Sequence, residues 1–227
     1  MGRPKAWMSW STGKDSALAL YEVKQKNEVQ VVELLTTVTE IFQRVSIHGV
    51  RESLLLHQAR ELGLPVHIVK IPNPCPNEVY DEHMAAALEE AKSQGVEYVV
   101  FGDLFLEDIR KYREKMLEGT GVNPLFPLWG KPTNVLARSM IESGIRAVTT
   151  CVDPKQLPSD FVGRIFDESF LAELPDDVDP CGEHGEFHTF VYDCPLFTRP
   201  IPIEIGKIVE RDGFVFCDVM YLNGEDA

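Results

Sequence analysis

The first hundred residues alternate short apolar runs with amphipathic stretches, and this alternation limits the possible folds more than any other feature. Residues 6–10, 29–37, 66–71 and 98–102 read as strands, and a fifth ends near Phe126. Between them lie helical spacings: Ala17, Leu20 and Tyr21; Leu55, Ala59 and Leu62, stopped by Gly63; Met84, Leu88 and Ala91, stopped by Gly95. Strands apolar on both sides, alternating with helices, predict an α/β fold: a parallel five-stranded sheet with helices on both faces and right-handed crossovers. Such sheets bind ligands beyond the carboxyl ends of their strands, where strand order reverses. Attention therefore falls on the residues after Trp10, Thr37, Ile71, Phe101 and Phe126.

The second half has a different texture. A helix over 132–143 carries Leu136 with Met140 and Ala137 with Ile141, and a strand follows over 145–151. Val162, Ile165, Phe166 and Phe170 predict a helix over 160–174, followed by a polar loop over 175–186. Alternating strands over 187–192 and 203–221 close the chain, the latter turning at Arg211-Asp212-Gly213 as a hairpin. Gly119 and Gly121 break the preceding helix, so the expected division is 1–121 and 122–227, the second part a smaller α+β domain.

Composition narrows the function classes. With 22 basic and 36 acidic residues, the net charge of −14 opposes binding to a phosphate backbone, so bulk nucleic acid is not an expected partner. No apolar run reaches the length of a membrane span, and the amino end enters a polar motif without a leader-like stretch. Five scattered cysteines without a Cys-x-x-Cys pair read as reduced thiols of a cytoplasmic protein.

The most informative segment is Ser11-Thr12-Gly13-Lys14-Asp15-Ser16, between a strand and a helix. There, backbone N–H groups of a helix start can face an anion, with hydroxyls from Ser11, Thr12 and Ser16 and a point charge from Lys14. It is not a Walker-type loop: Asp15 follows Gly13-Lys14, and Met8 stands where the first glycine is needed. Two readings fit, a polyphosphate site or a helix start capped by Ser11 or Thr12 with Asp15 favoured by the dipole.

The segment resembles the Ser-Gly-Gly-x-Asp-Ser signature of the PP-loop ATP pyrophosphatases, with Thr12 in place of one of the two glycines. Those enzymes split ATP between its α and β phosphates, adenylate a substrate and release pyrophosphate. Further segments are similar to one branch, the diphthine–ammonia ligase family: Phe101-Gly102-Asp103 with Leu106-Glu107-Asp108-Ile109-Arg110, Phe126-Pro127-Leu128-Trp129-Gly130-Lys131, and the run from Gly182 to Thr189. The likeness covers nearly the whole chain. His184 stands where relatives commonly carry asparagine, and Cys194 where glycine is usual.

The resemblance implies a HUP-type sheet domain that binds ATP with Mg2+, and a C-terminal domain that recognises the substrate. It implies ATP contacts from Ser11, Thr12, Gly13, Lys14, Asp15, Ser16, Gly102 and Asp103, with Lys14, Asp15 and Asp103 as the catalytic set. Asp103 also reads as a helix N-cap, and both uses are compatible. The mixed charges from Glu107 to Lys115 read as a solvated helix face, from which Arg110 or Arg113 could stabilise pyrophosphate. Trp129 and Gly130 fit either a core position or a pocket wall.

The 182–189 loop holds Glu183, His184, Gly185, Glu186, His188 and Thr189. A zinc pair normally sits four apart on a helix, which the flanking glycines oppose, so no resident metal site is expected. An exposed polar loop and a substrate-recognition loop remain. In the second, Glu183 and Glu186 face a cationic group and His188 supplies a hydrogen bond; a quaternary ammonium such as that of diphthine suits carboxylates beside aromatics.

The expected activity is ATP-dependent amide formation: a carboxylate is adenylated and ammonia or ammonium displaces AMP. The resemblance gives the carboxylate as diphthine on elongation factor 2, or another carboxylate if the source makes no diphthamide, with a homodimer as a further partner state. Two other readings are a nucleotide sensor without turnover, and tRNA thiolation. The second wants a cysteine pair and a basic RNA surface; Cys151 and Cys181 are available, but the charge balance speaks against it.

Overall fold

The computed structural model describes residues 2–222. Its first part runs β1 (Lys5–Ser9), α1 (Lys14–Lys26), β2 (Gln30–Thr39), β3 (Arg44–Val45), α2 (Glu52–Leu62), β4 (Val66–Ile71), α3 (Asn77–Ser93), β5 (Val96–Val100), α4 (Glu107–Leu117) and β6 (Asn123–Leu125). The parallel strands lie in the order β4-β2-β1-β5-β6, and β3 adds a two-residue antiparallel pairing to β2. The five-stranded parallel sheet expected from the apolar runs is therefore present. Strand order reverses between β1 and β5, which fixes the ligand edge at Trp10–Ser11 and Phe101–Gly102.

β1 shows why these runs become central strands. Ala6 and Met8 enter one apolar cluster and Trp7 the other, so both faces are covered. Burying each such large side chain contributes about 1.5–3 kcal/mol.

The second part comprises α5 (Thr133–Glu142), β7 (Arg146–Val152), α6 (Glu168–Glu173), β8 (Phe187–Asp193), β9 (Ile203–Arg211) and β10 (Phe214–Tyr221), with an antiparallel sheet in the order β8-β7-β10-β9. The β9–β10 turn has φ of 53° at Asp212 and 83° at Gly213, as a tight two-residue hairpin turn requires. β6 lies beyond Gly121 yet pairs with β5, so the first sheet takes a strand from after the expected division.

The helix expected over 160–174 is a correction. A single 3-10 turn over Ser159–Phe161 ends at Gly163, whose φ is +79°, and Ile165 bridges to Val148. α6 then starts afresh, with the Asp167 side chain accepting from the Phe170 amide at 2.9 Å. Val162, Phe166 and Phe170 have helical spacing because they line one continuous core, whereas Ile165 is exposed. That core runs from Met8 and Leu34 in the first sheet to Phe170, Phe187 and Phe190 under the second.

Candidate active site

The site begins where β1 ends. The Trp10 amide still donates to Leu35 O (2.8 Å), but the chain then turns sharply, with Thr12 at φ +69°. This is a left-handed position at which a β-branched side chain is strained and glycine is not. Gly13 occupies the N-cap of α1, so neither Ser11 nor Thr12 acts as the cap; the first helical amide, that of Lys14, instead donates to Thr189 Oγ1 far along the chain (3.1 Å). Ser11 Oγ instead donates to Ser16 Oγ (3.2 Å), and Ser16 Oγ to Gly13 O (2.9 Å).

Ser11, Asp15 and Ser16 line a cavity of about 320 Å³, so the positive end of α1 opens on it. Gly102, Asp103 and Arg113 form a second wall; Glu183, His188 and Thr189 form a third. An adjoining cavity of about 550 Å³ shares Ser9, Ser11, His48, Phe101 and Arg113, and extends over Leu35, Ile71 and Met84. Together they form a cleft with a polar end against α1 and an apolar end over the tips of β2 and β4.

Gly102 is needed for a reason other than nucleotide approach. A Cβ there would lie 3.0 Å from the Ser16 amide nitrogen and 3.1 Å from the Asp15 carbonyl carbon, so a side chain at 102 would crowd the backbone of the helix start. Asp103 is not a helix cap, because α4 starts at Glu107 with Leu106 as its N-cap. Asp103 Oδ2 sits 3.7 Å from Arg113 Nε, and both atoms are buried without a hydrogen-bond partner among the described residues. Arg110 turns elsewhere, over Trp129 (4.7 Å) and Phe126 (5.1 Å).

Lys14 departs furthest from expectation. It does not reach the cavity: the side chain is 1% exposed, its Nζ is bonded to Asp15 Oδ2 (3.0 Å) and to the carbonyl of Cys181, and it lies 5.0 Å from the Phe187 ring. Thr12 and Gly13 are likewise absent from the cavity wall; the Thr12 carbonyl accepts from the Val191 amide (2.9 Å) and from Gln58 Nε2 (3.1 Å).

In the 182–189 loop the two glutamates separate. Glu183 reaches the cavity, and its Oε1 accepts from the Leu104 amide at 2.8 Å. Glu186 turns inward and accepts from the Asp179 amide at 3.0 Å, bracing the loop from within. Trp129, Gly130 and Gly185 also stand off both cavities; the Gly130 amide donates to Leu104 O at 2.8 Å.

Electrostatics follow from this crowding. Burial pushes Glu183 up to about 7, with Asp15 and Asp103 adding to the rise. Burial also raises Asp15 and Asp103, against the opposing pull of Lys14 and Arg113 respectively. His48 and His188 pack ring against ring at 4.6 Å; burial lowers His48 to about 4 and holds His188 well below its ordinary range, so both are neutral at pH 7.

Sequence reasoning missed three contributors. Gln58 is fully buried and bonds three partners: Trp10 Nε1 donates to its Oε1 (2.8 Å), and its Nε2 donates to Thr12 O and Val191 O (2.6 Å). Its signal was available, since 54, 55, 58, 59 and 62 form the inward face of α2. His48 and Ile47 flank both cavities; Ile47 combines φ +68° with 73% exposure, and nothing in the local sequence announces it.

Comparison with known proteins covers both halves. The family described as diphthamide synthase N-terminal domain matches residues 4–124, and diphthamide synthase C-terminal domain matches residues 132–220. The chain is 33% identical over 185 residues to the diphthine–ammonia ligase of Bos taurus, covering 78% of this chain and 68% of that protein. It is 34% identical over 152 residues to that of Homo sapiens, covering 64% of this chain but only 56% of the relative, so it spans little more than half of that protein's length. Among solved structures, a predicted subunit of a tRNA methyltransferase from Methanocaldococcus jannaschii overlays 63% of this chain and 80% of that one at 17% identity and a TM-score of 0.43. With both halves matched end to end around the cleft, the chain belongs to the diphthine–ammonia ligase family.

Proposed function

We propose that this protein is an ATP-dependent amide ligase of the diphthine–ammonia type. The observation that carries this reading is the start of α1, opening with Asp15 and Ser16, beside Ser11, on a cleft at the strand-order reversal of a parallel sheet. The helix start, the two hydroxyls and Arg113 hold the ATP phosphates, and the apolar end of the cleft takes the nucleoside. A substrate carboxylate attacks the α phosphorus, pyrophosphate leaves, and ammonia displaces AMP from the acyl adenylate. Catalysis is positioning and charge stabilisation, without a protein nucleophile.

Mg2+ belongs to this reading as the partner of the nucleotide. Among the described residues no cluster of three ligating side chains forms a metal cage. Asp15 and Asp103 on the wall, with Asp103 Oδ2 facing Arg113 at 3.7 Å but without a hydrogen bond among the described residues, fit an ion that keeps one or two carboxylates alongside phosphate oxygens. Glu183, His188 and Thr189 meet the acyl substrate and ammonia, with diphthine on elongation factor 2 as the proposed carboxylate. Among the described residues no helix is long and apolar enough to cross a membrane. Action in the cytoplasm, and as a homodimer, completes the proposal. With α-labelled ATP, ammonium and diphthine-bearing elongation factor 2, the expected products are AMP and pyrophosphate; ADP and phosphate would overturn the scheme.

A further inference from the structure

Lys14 sits in the motif that faces the nucleotide, yet its charge is spent elsewhere. An ammonium has three N–H donors. Here they meet the Asp15 carboxylate (3.0 and 3.3 Å) and the Cys181 carbonyl, beneath the rings of Phe187 (5.0 Å) and Phe166 (5.5 Å). Burying an ammonium costs several kcal/mol unless its partners are well placed. These partners suffice: burial works against the charge, but Asp15 and the other acidic groups around it outweigh burial and hold its pKa above the usual lysine range. Every donor of the ammonium is thus engaged by the protein, and Lys14 is not among the residues on the cavity wall.

What the contacts join is specific. Asp15 is on α1, whereas Cys181, Phe187 and Phe166 belong to the second half, and the Lys14 amide donates to Thr189 Oγ1 at 3.1 Å. Two residues beyond Cys181 comes Glu183, the loop carboxylate on the cavity wall. Gly182 between them has φ +68°, and a Cβ there would lie 2.8 Å from Phe187 O, so the chain from 181 to 183 has little room to adjust.

We propose that Lys14 is a positioning residue, not a phosphate ligand: it bolts the 181–187 turn of the second half to the start of α1 and so delivers Glu183 to the cavity. This deepens the ligase reading and rests on it for the effect on turnover. Binding of ATP and reaction of the acyl substrate then depend on different atoms of the same motif, the backbone and hydroxyls for the first and the Lys14 ammonium for the second.

The test is Lys14→Met in the full chain. Expected are equilibrium ATP affinity and KM for ATP within threefold of the parent, kcat for AMP formation at least tenfold lower, and faster amide hydrogen exchange confined to 179–189. A tenfold or greater loss of ATP affinity, or unchanged exchange over 179–189, would overturn the proposal. If Lys14→Met does not fold, Phe187→Leu removes an aromatic face while keeping the charge, and the same split is expected. Should the parent protein form no AMP, the ligase reading fails, while the exchange and ATP-affinity measurements still decide the role of Lys14.

Discussion

The 11–16 turn and the 182–189 loop reach the same cavity by different means. The first presents backbone and hydroxyls at a helix start, with its one cation turned into the protein. The second presents side chains: Glu183, His188 and Thr189 face the cavity, while Glu186 braces the loop from inside. A strand-turn-helix can form its own anion-binding start, but the loop needs the turn to hold it. Gln58 and the Thr12–Val191 contact supply that hold, together with Lys14. Two segments with equally polar sequences thus have unequal independence.

Removing Gln58 should do most to break this pairing. Gln58→Leu strands the buried Trp10 Nε1 and leaves the Thr12 and Val191 carbonyls without its amide, an expected loss of about 2–4 kcal/mol. Denaturant unfolding measures it, and a loss below about 1 kcal/mol would mean the two segments do not depend on this hub.

Glu183→Gln sharpens the role of the loop alone. The native carboxyl titrates near 7, above its value in the unfolded chain, because burial disfavours its charge. The parent therefore loses stability as pH rises from about 4.5 through 7, and a neutral glutamine does not. Thermal melts should show the variant more stable by about 2 kcal/mol at pH 8, with the gap closing towards pH 4. Turnover should fall in the same variant, and equal melting at every pH would place Glu183 in water.

Thr12→Gly probes the turn and should have the smallest effect. It relieves a left-handed conformation at a β-branched residue and removes a buried hydroxyl that has no partner among the described residues. Loss of a buried methyl offsets part of that gain, leaving a net stabilisation of about 1 kcal/mol by denaturant melt. A destabilised variant would show that the threonine packs better than its backbone angle suggests.

The parallel sheet and its strand-order reversal were legible because strand, turn and helix follow one another within short stretches. α2 and β4 fall where their apolar spacing puts them. The helix expected over 160–174 was not legible, because a helical spacing of aromatics and a lining of one core face look alike until Gly163 is seen to turn the chain. Nor was the direction of Lys14, which is decided by Cys181 and Phe187, far along the chain. Glu183 and Glu186 read alike in sequence, and only the fold around Asp179 and Leu104 separates them.

The hydrogen bond from Lys14 to Thr189 spans 175 positions. On a ribosome the amino-terminal turn emerges with Asp15 beside its lysine and gains Gln58 with α2, but the contacts of Lys14 to Phe187 and Thr189, and of Thr12 to Val191, wait until β8 has been translated. The third wall of the cavity therefore closes on the turn only after that strand exists, and a chain interrupted before it would carry the motif without Glu183, His188 and Thr189 against it.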